Sequence, residues 1–437
     1  MISNTKTMKV SKIFFGCLLL CIFGVGIFPS HASALCDTGT CYVARDGSGD
    51  FNCDGTDDHV QIQQALVYAA SHTGTTVYFK GPATYNVDPN NMYIGSNTTI
   101  TGASTAVVKM KPQEYHNPNS TTRGIFQAKG DSTHDITIYG FTIDGNEIHK
   151  KIVSVANDHI NTIQLVGASN VVVHDMVLKN GIGDGIKVWH NSDNYLTRDT
   201  NVHIYNNIID KTGHDNVWVT RASKVSIHDN FCSNRDNSGV RITNSRDVSI
   251  YNNDLTSENH GGAGIELQKV GAQGMYNIEI YNNYIHHNRT MGIYIYGYRE
   301  YEKNTATGIH IHHNIITKNG LDTAEIGGIV IAGFDGTLIE NNVIDGNSRT
   351  GIALRLAYAD RGVYDFPGSG YVTTVRNNII TNTVKGSGPT AIYGVSNELS
   401  STHSFILQNN CVYNPGQSNY NNISSHSSDI NANPLFV

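Results

Sequence analysis

Asn201-Val-His-Ile-Tyr-Asn-Asn-Ile-Ile209, Lys224-Val-Ser-Ile-His-Asp-Asn230 and Asp247-Val-Ser-Ile-Tyr-Asn-Asn253 are one phrase written three times, each start 23 residues after the last. Branched apolar residues alternate with polar ones, the period of a strand with one face turned inward. The closing Asn or Asp residues break the strand. Asn tolerates left-handed backbone, and stacked Asn amides can bond to one another along a ladder. The phrase recurs at residues 170–178, 277–283, 308–314, 336–342, 372–378 and 404–410, with longer steps where loops are inserted. A repeat of this length signals a solenoid.

Each unit carries a second short strand: Gly185-Ile-Lys-Val188, Asn216-Val-Trp-Val219, Gly239-Val-Arg-Ile242, Gly264-Ile-Glu-Leu267, Gly292-Ile-Tyr-Ile295, Gly328-Ile-Val-Ile331 and Gly351-Ile-Ala-Leu354. No helix-period segment lies between the strands, which argues against βαβ crossovers. Short strands stacking on their equivalents in the next coil predict a right-handed parallel β-helix, an all-β solenoid. A β-propeller would need a longer repeat.

The rest of the chain fits one such array. Its 437 residues are 39% hydrophobic and only 15% charged, with 43 Gly, which excludes disorder, coiled coil and long helices. Helical spacing appears once, in Val60, Ile62, Ala65, Leu66 and Ala69, after Asp54-Gly-Thr-Asp-Asp58. This predicts an N-terminal capping helix with Thr56 or Asp57 as N-cap, covering the open sheet edge. No linker or second domain is evident, so residues 35–437 are expected to form a single domain. Oligomeric state is not legible.

Residues 1–34 read as a signal peptide: Lys6, Lys9 and Lys12, an apolar run over 13–28, then Ala32-Ser33-Ala34 as cleavage site. Leu35 before Cys36 rules out a lipobox. With no other long apolar run, the expected product is extracellular or cell-surface, without membrane contact. Five cysteines remain: Cys36, Cys41, Cys53, Cys232 and Cys411. A Cys36–Cys41 or a Cys41–Cys53 bridge would tie down the N-terminal segment. No cysteine spacing resembles a zinc site. Asn97, Asn119, Asn288 and Asn422 stand in N-x-S/T sequons, candidates for glycosylation. The net charge of −7, without a basic cluster, argues against nucleic acid as partner.

Asp46-Gly-Ser-Gly-Asp-Phe-Asn-Cys-Asp-Gly-Thr-Asp-Asp58, Gly95-Ser-Asn-Thr-Thr-Ile100, the repeats and Asn433-Pro-Leu-Phe436 together resemble the methanoarchaeal disaggregatases, over most of the mature chain. The resemblance implies a parallel β-helix that degrades a chondroitin-like cell-wall polysaccharide. Larger members carry domains that this chain lacks. The wider pectin-lyase-like superfamily hosts hydrolases, lyases, epimerases and adhesins, so chemistry must be argued from the site.

The position between the two inward residues of the second strand reads Lys187, Trp218, Arg241, Glu266, Tyr294, Val330 and Ala353. The first five suit a groove for an acidic polysaccharide: Trp and Tyr stack on sugar faces, while Lys and Arg hold carboxylates. Gln268 and Tyr296 follow on the same face, with Tyr298 and Tyr301 entering a loop beyond. Asp184 and Asp215 fall at equivalent places on adjacent coils. Two close carboxylates should push one pKa up, giving an acid beside a base or nucleophile for glycoside hydrolysis, which requires no cofactor. His214 is a candidate proton carrier. Asn237, Arg235 and His260 occupy pre-strand loops and are candidates to line the groove. The rival chemistry is β-elimination on a uronate. It needs the substrate carboxylate neutralised and a base near the C5 proton; Arg241 or Lys187 would serve one task, with Glu266 or a bound Ca2+ serving the other. A non-catalytic adhesin would need the aromatic residues but not two adjacent acids. Asp50-x-Asn52-x-Asp54-Gly55 matches half of a calcium loop, with Gln61 where a bidentate Glu is expected, and makes Asp50, Asn52 and Asp54 candidate metal ligands.

Overall fold

The computed structural model describes residues 35–89, 92–112, 123–128, 130–146, 160–190, 200–257, 261–270, 274–297, 307–322, 326–332, 336–355, 357–359, 362–364, 372–387, 392–398 and 406–435. The signal segment, Asn119, His260, Tyr298 and Tyr301 lie outside them. Among the described residues, no helix is long and apolar enough to cross a membrane.

One turn of the chain shows how the repeat folds. Ser223–His228, Phe231–Arg235 and Val240–Thr243 are three strands separated by short corners, and Arg246–Tyr251 begins the next turn. Each strand pairs in parallel with its equivalents in the turns before and after. Among the described residues this yields a first sheet of 14 strands, a second of 12 and a third of 12. One antiparallel hairpin stands apart, Ala357–Ala359 with Gly362–Tyr364. The architecture is a parallel β-helix, as the repeat predicts. It has three strands per turn where two were expected. Pairs such as Ile208-Ile209 read as the tail of the first strand, but Asn206 is left-handed (φ 54°) and turns the chain into a separate strand, Ile208–Thr212.

The two Asn residues divide the work. The first is left-handed: Asn206, Asn252, Asn282, Asn341, Asn377 and Asn409 all have φ of 54–56°. The second points inward and is buried. Asn207, Asn230, Asn253, Asn283, Asn314, Asn342, Asn378 and Asn410 form a ladder in which each side-chain N–H donates to the carboxamide oxygen of the next, at 2.9–3.1 Å. The corner is thus stabilised by bonds between coils instead of by water. Inward branched residues fill the rest. Val217, Val219, Val240, Ile242, Ile265 and Leu267 are all fully buried, each contributing about 1.5–3 kcal/mol by leaving water. Before each third-sheet strand the coil turns so tightly that Gly239 has no room for a side chain: a Cβ would lie 2.6 Å from Gly264 O.

The helix α1 spans His59–Ser71 and buries Ile62, Ala65, Leu66 and Ala69 over the N-terminal end, while Val60 stays exposed. Its N-cap is Asp58, one residue beyond Asp57 and two beyond Thr56, the expected caps, and no side chain caps the helix. The Asp58 carboxylate instead accepts the amides of Gly55 and Asn86, fixing the entry turn to the coil below. Cys36 and Cys41 form the disulfide, and Cys53 is free and buried.

Three expectations are corrected here. The oxygens of Asp50, Asn52 and Asp54 are taken by different backbone amides: Cys36 and Tyr42, Gly49, and Thr56 respectively. The stretch is a set of Asx turns, and these side chains stabilise backbone where a calcium loop was expected. Arg235 does not line the groove. It ends the strand Phe231–Arg235 pointing inward, fully buried, with its guanidinium on Thr256 O, Ala263 O and Asn288 Oδ1. Asn288, held there and bonded to Asn319, is 2% exposed, so its sequon is not an available glycosylation site.

Candidate functional site

The expected stripe is in register. Lys187 pairs with Trp218, Trp218 with Arg241, Arg241 with Glu266, Glu266 with Tyr294, then Val330 and Ala353 follow, one per coil on the third sheet. The stripe changes character after Tyr294: Val330 and Ala353 are buried in a small apolar cluster with Ala263, Met291 and Ile326. Trp218, Arg241, Tyr294, Gln268 and Tyr296 are part-exposed, whereas Lys187 and Glu266 are nearly covered.

Asp184 and Asp215 sit at the corner leading into this sheet and are fully buried. They belong to a staircase of side-chain acceptors. Asn161 Oδ1 accepts the amide of Asp184 (2.7 Å), Asp184 Oδ1 that of Asp215 (3.0 Å), and Asp215 Oδ1 that of Ser238 (2.8 Å). The oxygens also meet cations. His214 Nδ1 lies 2.7 Å from Asp184 Oδ1 and 3.1 Å from Asp215 Oδ2. Lys187 Nζ is 3.8 Å from Asp184 Oδ2, and Arg241 Nε is 3.3 Å from both Asp215 Oδ2 and Glu266 Oε1. Tyr296 OH donates to Glu266 Oε1 (2.7 Å) and accepts from Gln268 Nε2 (2.6 Å). Asn237 Nδ2 donates to Asp215 Oδ1 at 2.9 Å. Trp218 roofs the cluster, with Lys187 Nζ 4.0 Å and Arg241 Cζ 5.4 Å from its ring centre.

Three carboxylates thus face three groups that can carry positive charge, in a place with little water. For Asp215 this runs against the expectation that closeness would push a carboxyl of the pair up. Burial does work against the charge of Asp215, but Arg241 and then His214 outweigh it and hold the carboxyl below its ordinary range. Burial also opposes a charged His214, yet its bonds to Asp184 and Asp215 lift its pKa to about 10. Burial draws Lys187 down, with Asp184 and Asp215 opposing. Burial and Glu266 push the Tyr296 phenol up, so it stays neutral. The pair of acids orients and charges one imidazole, and that imidazole, unlike the acids, is part-exposed (23%).

The structure therefore brings together Asp184, Asp215, His214, Lys187, Trp218, Arg241, Glu266, Asn237, Gln268 and Tyr296, with Tyr294 stacked on Tyr296 at 4.4 Å. Sequence reasoning missed Ser238, whose amide binds Asp215 and whose hydroxyl donates to Glu266. Its signal was available: it stands one 23-residue step after Asp215.

Residues 161–320 match the family model described as right handed beta helix region, and residues 275–437 the model described as disaggregatase related. A search of curated proteins finds no match. Among solved structures, the chain is similar to the A-module of mannuronan C-5 epimerase AlgE6 from Azotobacter vinelandii, at 19% identity over 87% of this chain and 96% of that one, with a TM-score of 0.66. It is similar to a hyperthermoactive exopolygalacturonase from Thermotoga maritima at 13% identity, covering 83% and 85%, TM-score 0.52. PfbA, a surface adhesin of Streptococcus pneumoniae, aligns at 16% identity over 87% and 91%, TM-score 0.53. At these identities the likeness speaks for the fold. The chain is a right-handed parallel β-helix protein whose residues 275–437 match the disaggregatase-related model.

Proposed function

We propose that the chain is a secreted enzyme that cleaves an acidic, uronate-containing, chondroitin-like cell-wall polysaccharide laid across the third sheet. One observation carries this reading: two buried carboxylates converge on the part-exposed His214, next to Arg241 and under Trp218. Neighbours of the same fold named as a polysaccharide epimerase and a polygalacturonase support a glycan substrate.

The geometry favours β-elimination over the two-carboxylate hydrolysis that the sequence suggests. A hydrolase needs a protonated carboxyl that reaches the glycosidic oxygen, and Asp184 and Asp215 are fully buried, with Arg241 and His214 holding Asp215 below its ordinary range. In the elimination, Arg241, with Lys187 behind it, neutralises the uronate carboxylate and acidifies the C5 proton. The C5–H bond breaks, its electron pair forms the C4–C5 double bond, and the C4–O bond breaks. The proton moves to the Tyr296 oxygen while the phenolic proton passes to Glu266, and His214 protonates the leaving oxygen. Asp184 and Asp215 are positioning residues in this scheme.

The test follows two products on uronate glycans, new reducing ends and the ultraviolet absorbance of an unsaturated uronate. Both should rise together, and both should vanish in His214→Ala. Reducing ends without absorbance, lost in Asp215→Asn, would restore the hydrolase. Neither signal, with glycan binding retained, would make the chain an adhesin.

A further inference from the structure

A second cluster lies on the first sheet, apart from the groove. His310 and His312 are two residues apart on the strand Thr307–His312, so both side chains leave the same face. Glu279 is the register partner of His310 on the preceding coil, and Glu340 that of His312 on the following one. The contacts cross diagonally: His312 Nε2 lies 3.0 Å from Glu279 Oε1, and His310 Nε2 2.9 Å from Glu340 Oε1. The imidazole centres are 4.1 Å apart, and a donor atom from each of Glu279, His310 and His312 falls within 4.8 Å of the others.

We infer that Glu279, His310 and His312 form a binding site for a divalent transition-metal ion of the zinc type, which staples two consecutive coils, with Glu340 of the next coil held against His310. In a four-coordinate zinc site with bonds of about 2.1 Å, ligand atoms stand roughly 3.4 Å apart. The His312–Glu279 nitrogen–oxygen separation is a few tenths shorter, so an ion enters by displacing the proton of that hydrogen bond. Two imidazoles with one carboxylate, leaving a fourth position for water, select zinc-like ions over calcium or magnesium, which prefer all-oxygen shells. Outer partners are in place too. Arg376 Nε holds the second oxygen of Glu340 at 2.6 Å, and His313 Nδ1 meets the far nitrogen of His312 at 2.8 Å. Elsewhere on this sheet the pattern differs: His174 and His228 each pair singly with the Asp that follows, Asp175 and Asp229.

The test uses the full chain stripped with a chelator, titrated with Zn2+ against a chromophoric competitor and with Co2+ in the visible. One equivalent of Zn2+ should bind and raise the Tm. Co2+ should show the absorption of a four-coordinate site. The double variant His310→Ala/His312→Ala should lose at least about tenfold in affinity and the Tm rise, while His214→Ala keeps both. Should the double variant fail to fold, Glu279→Gln, at a 47% exposed side chain, should weaken Zn2+ binding in the same way. Wild-type affinity in these variants overturns the site, as does a loss that follows His214→Ala, or a Tm rise from Ca2+ equal to that from Zn2+.

Discussion

The first and third sheets are built from the same coils but use their outward positions in opposite ways. On the first sheet, Tyr139, His174, Tyr205, His228, Tyr251, Tyr281 and His312 stack ring on ring, with neighbouring centres 4.6–5.1 Å apart and planes within 8°. Flat rings at the natural strand spacing satisfy one another, so repetition is its own explanation. On the third sheet, Lys187, Trp218, Arg241, Glu266 and Tyr294 change kind at every coil. Nothing in stacking asks for that sequence of residues. It is sustained by ion pairs and hydrogen bonds running between coils, at the desolvation cost that buried charges carry. In a solenoid, the departure from the repeat is the informative part.

The largest test of that contrast is His214→Gln, which keeps a polar side chain but removes the charge. Turnover should fall about 10²–10⁴-fold, measured at a temperature where both proteins are folded. On the repeating side, Asn253→Ala should leave turnover intact and cost about 2–4 kcal/mol in denaturant unfolding. It strips a donor from Ile227 O, Tyr251 O and Asn283 Oδ1 and an acceptor from Asn230. If turnover falls in Asn253→Ala at full folding, the separation between the two faces is wrong.

The pH response should sharpen it further. The pKa of His214 is raised in the folded state to about 10, so its stabilisation is fully present below the unfolded value of about 6.5 and is lost as pH climbs through about 10. The Tm gap between wild type and His214→Gln should therefore be widest near pH 6 and close by pH 11. A gap that is constant with pH would show that the imidazole is not charged in the folded protein. The smallest effect belongs to Tyr251→Leu, which removes one ring from the stack. It should cost about 0.5–1.5 kcal/mol and change neither turnover nor pH response.

The sequence carried the fold and the register of the groove because both follow from a period. Once residues 170–283 are stacked, Lys187, Trp218, Arg241 and Glu266 have to share a line. It did not carry the corners. A corner residue faces in or out according to where the chain turns, and Arg235 turns into the core where the neighbouring coils place Gly181 and Thr212. The small size of those two neighbours was the available warning. Charge states were equally hidden. That Asp184 and Asp215 are close was readable, but that His214, Lys187 and Arg241 reach their oxygens depends on side-chain paths that spacing does not contain. Asp50, Asn52 and Asp54 mislead for a related reason, since Asx turns and calcium loops draw on the same residues.

The Asn ladder has one more property. Each side-chain amide in it turns its oxygen back toward the preceding coil and one N–H on toward the next, from Asn207 to Asn410, so the amide dipoles add along the axis as peptide dipoles do in a helix. The file therefore has a positive pole, and the residue that receives its last N–H is a carboxylate, Asp429, 3.3 Å from Asn410 Nδ2. Asp429 also takes the backbone amides of Asn410 and His426 and the hydroxyl of Tyr420. An anion at the positive end closes the series electrostatically, and the solenoid has a front and a back that differ in polarity as well as in shape.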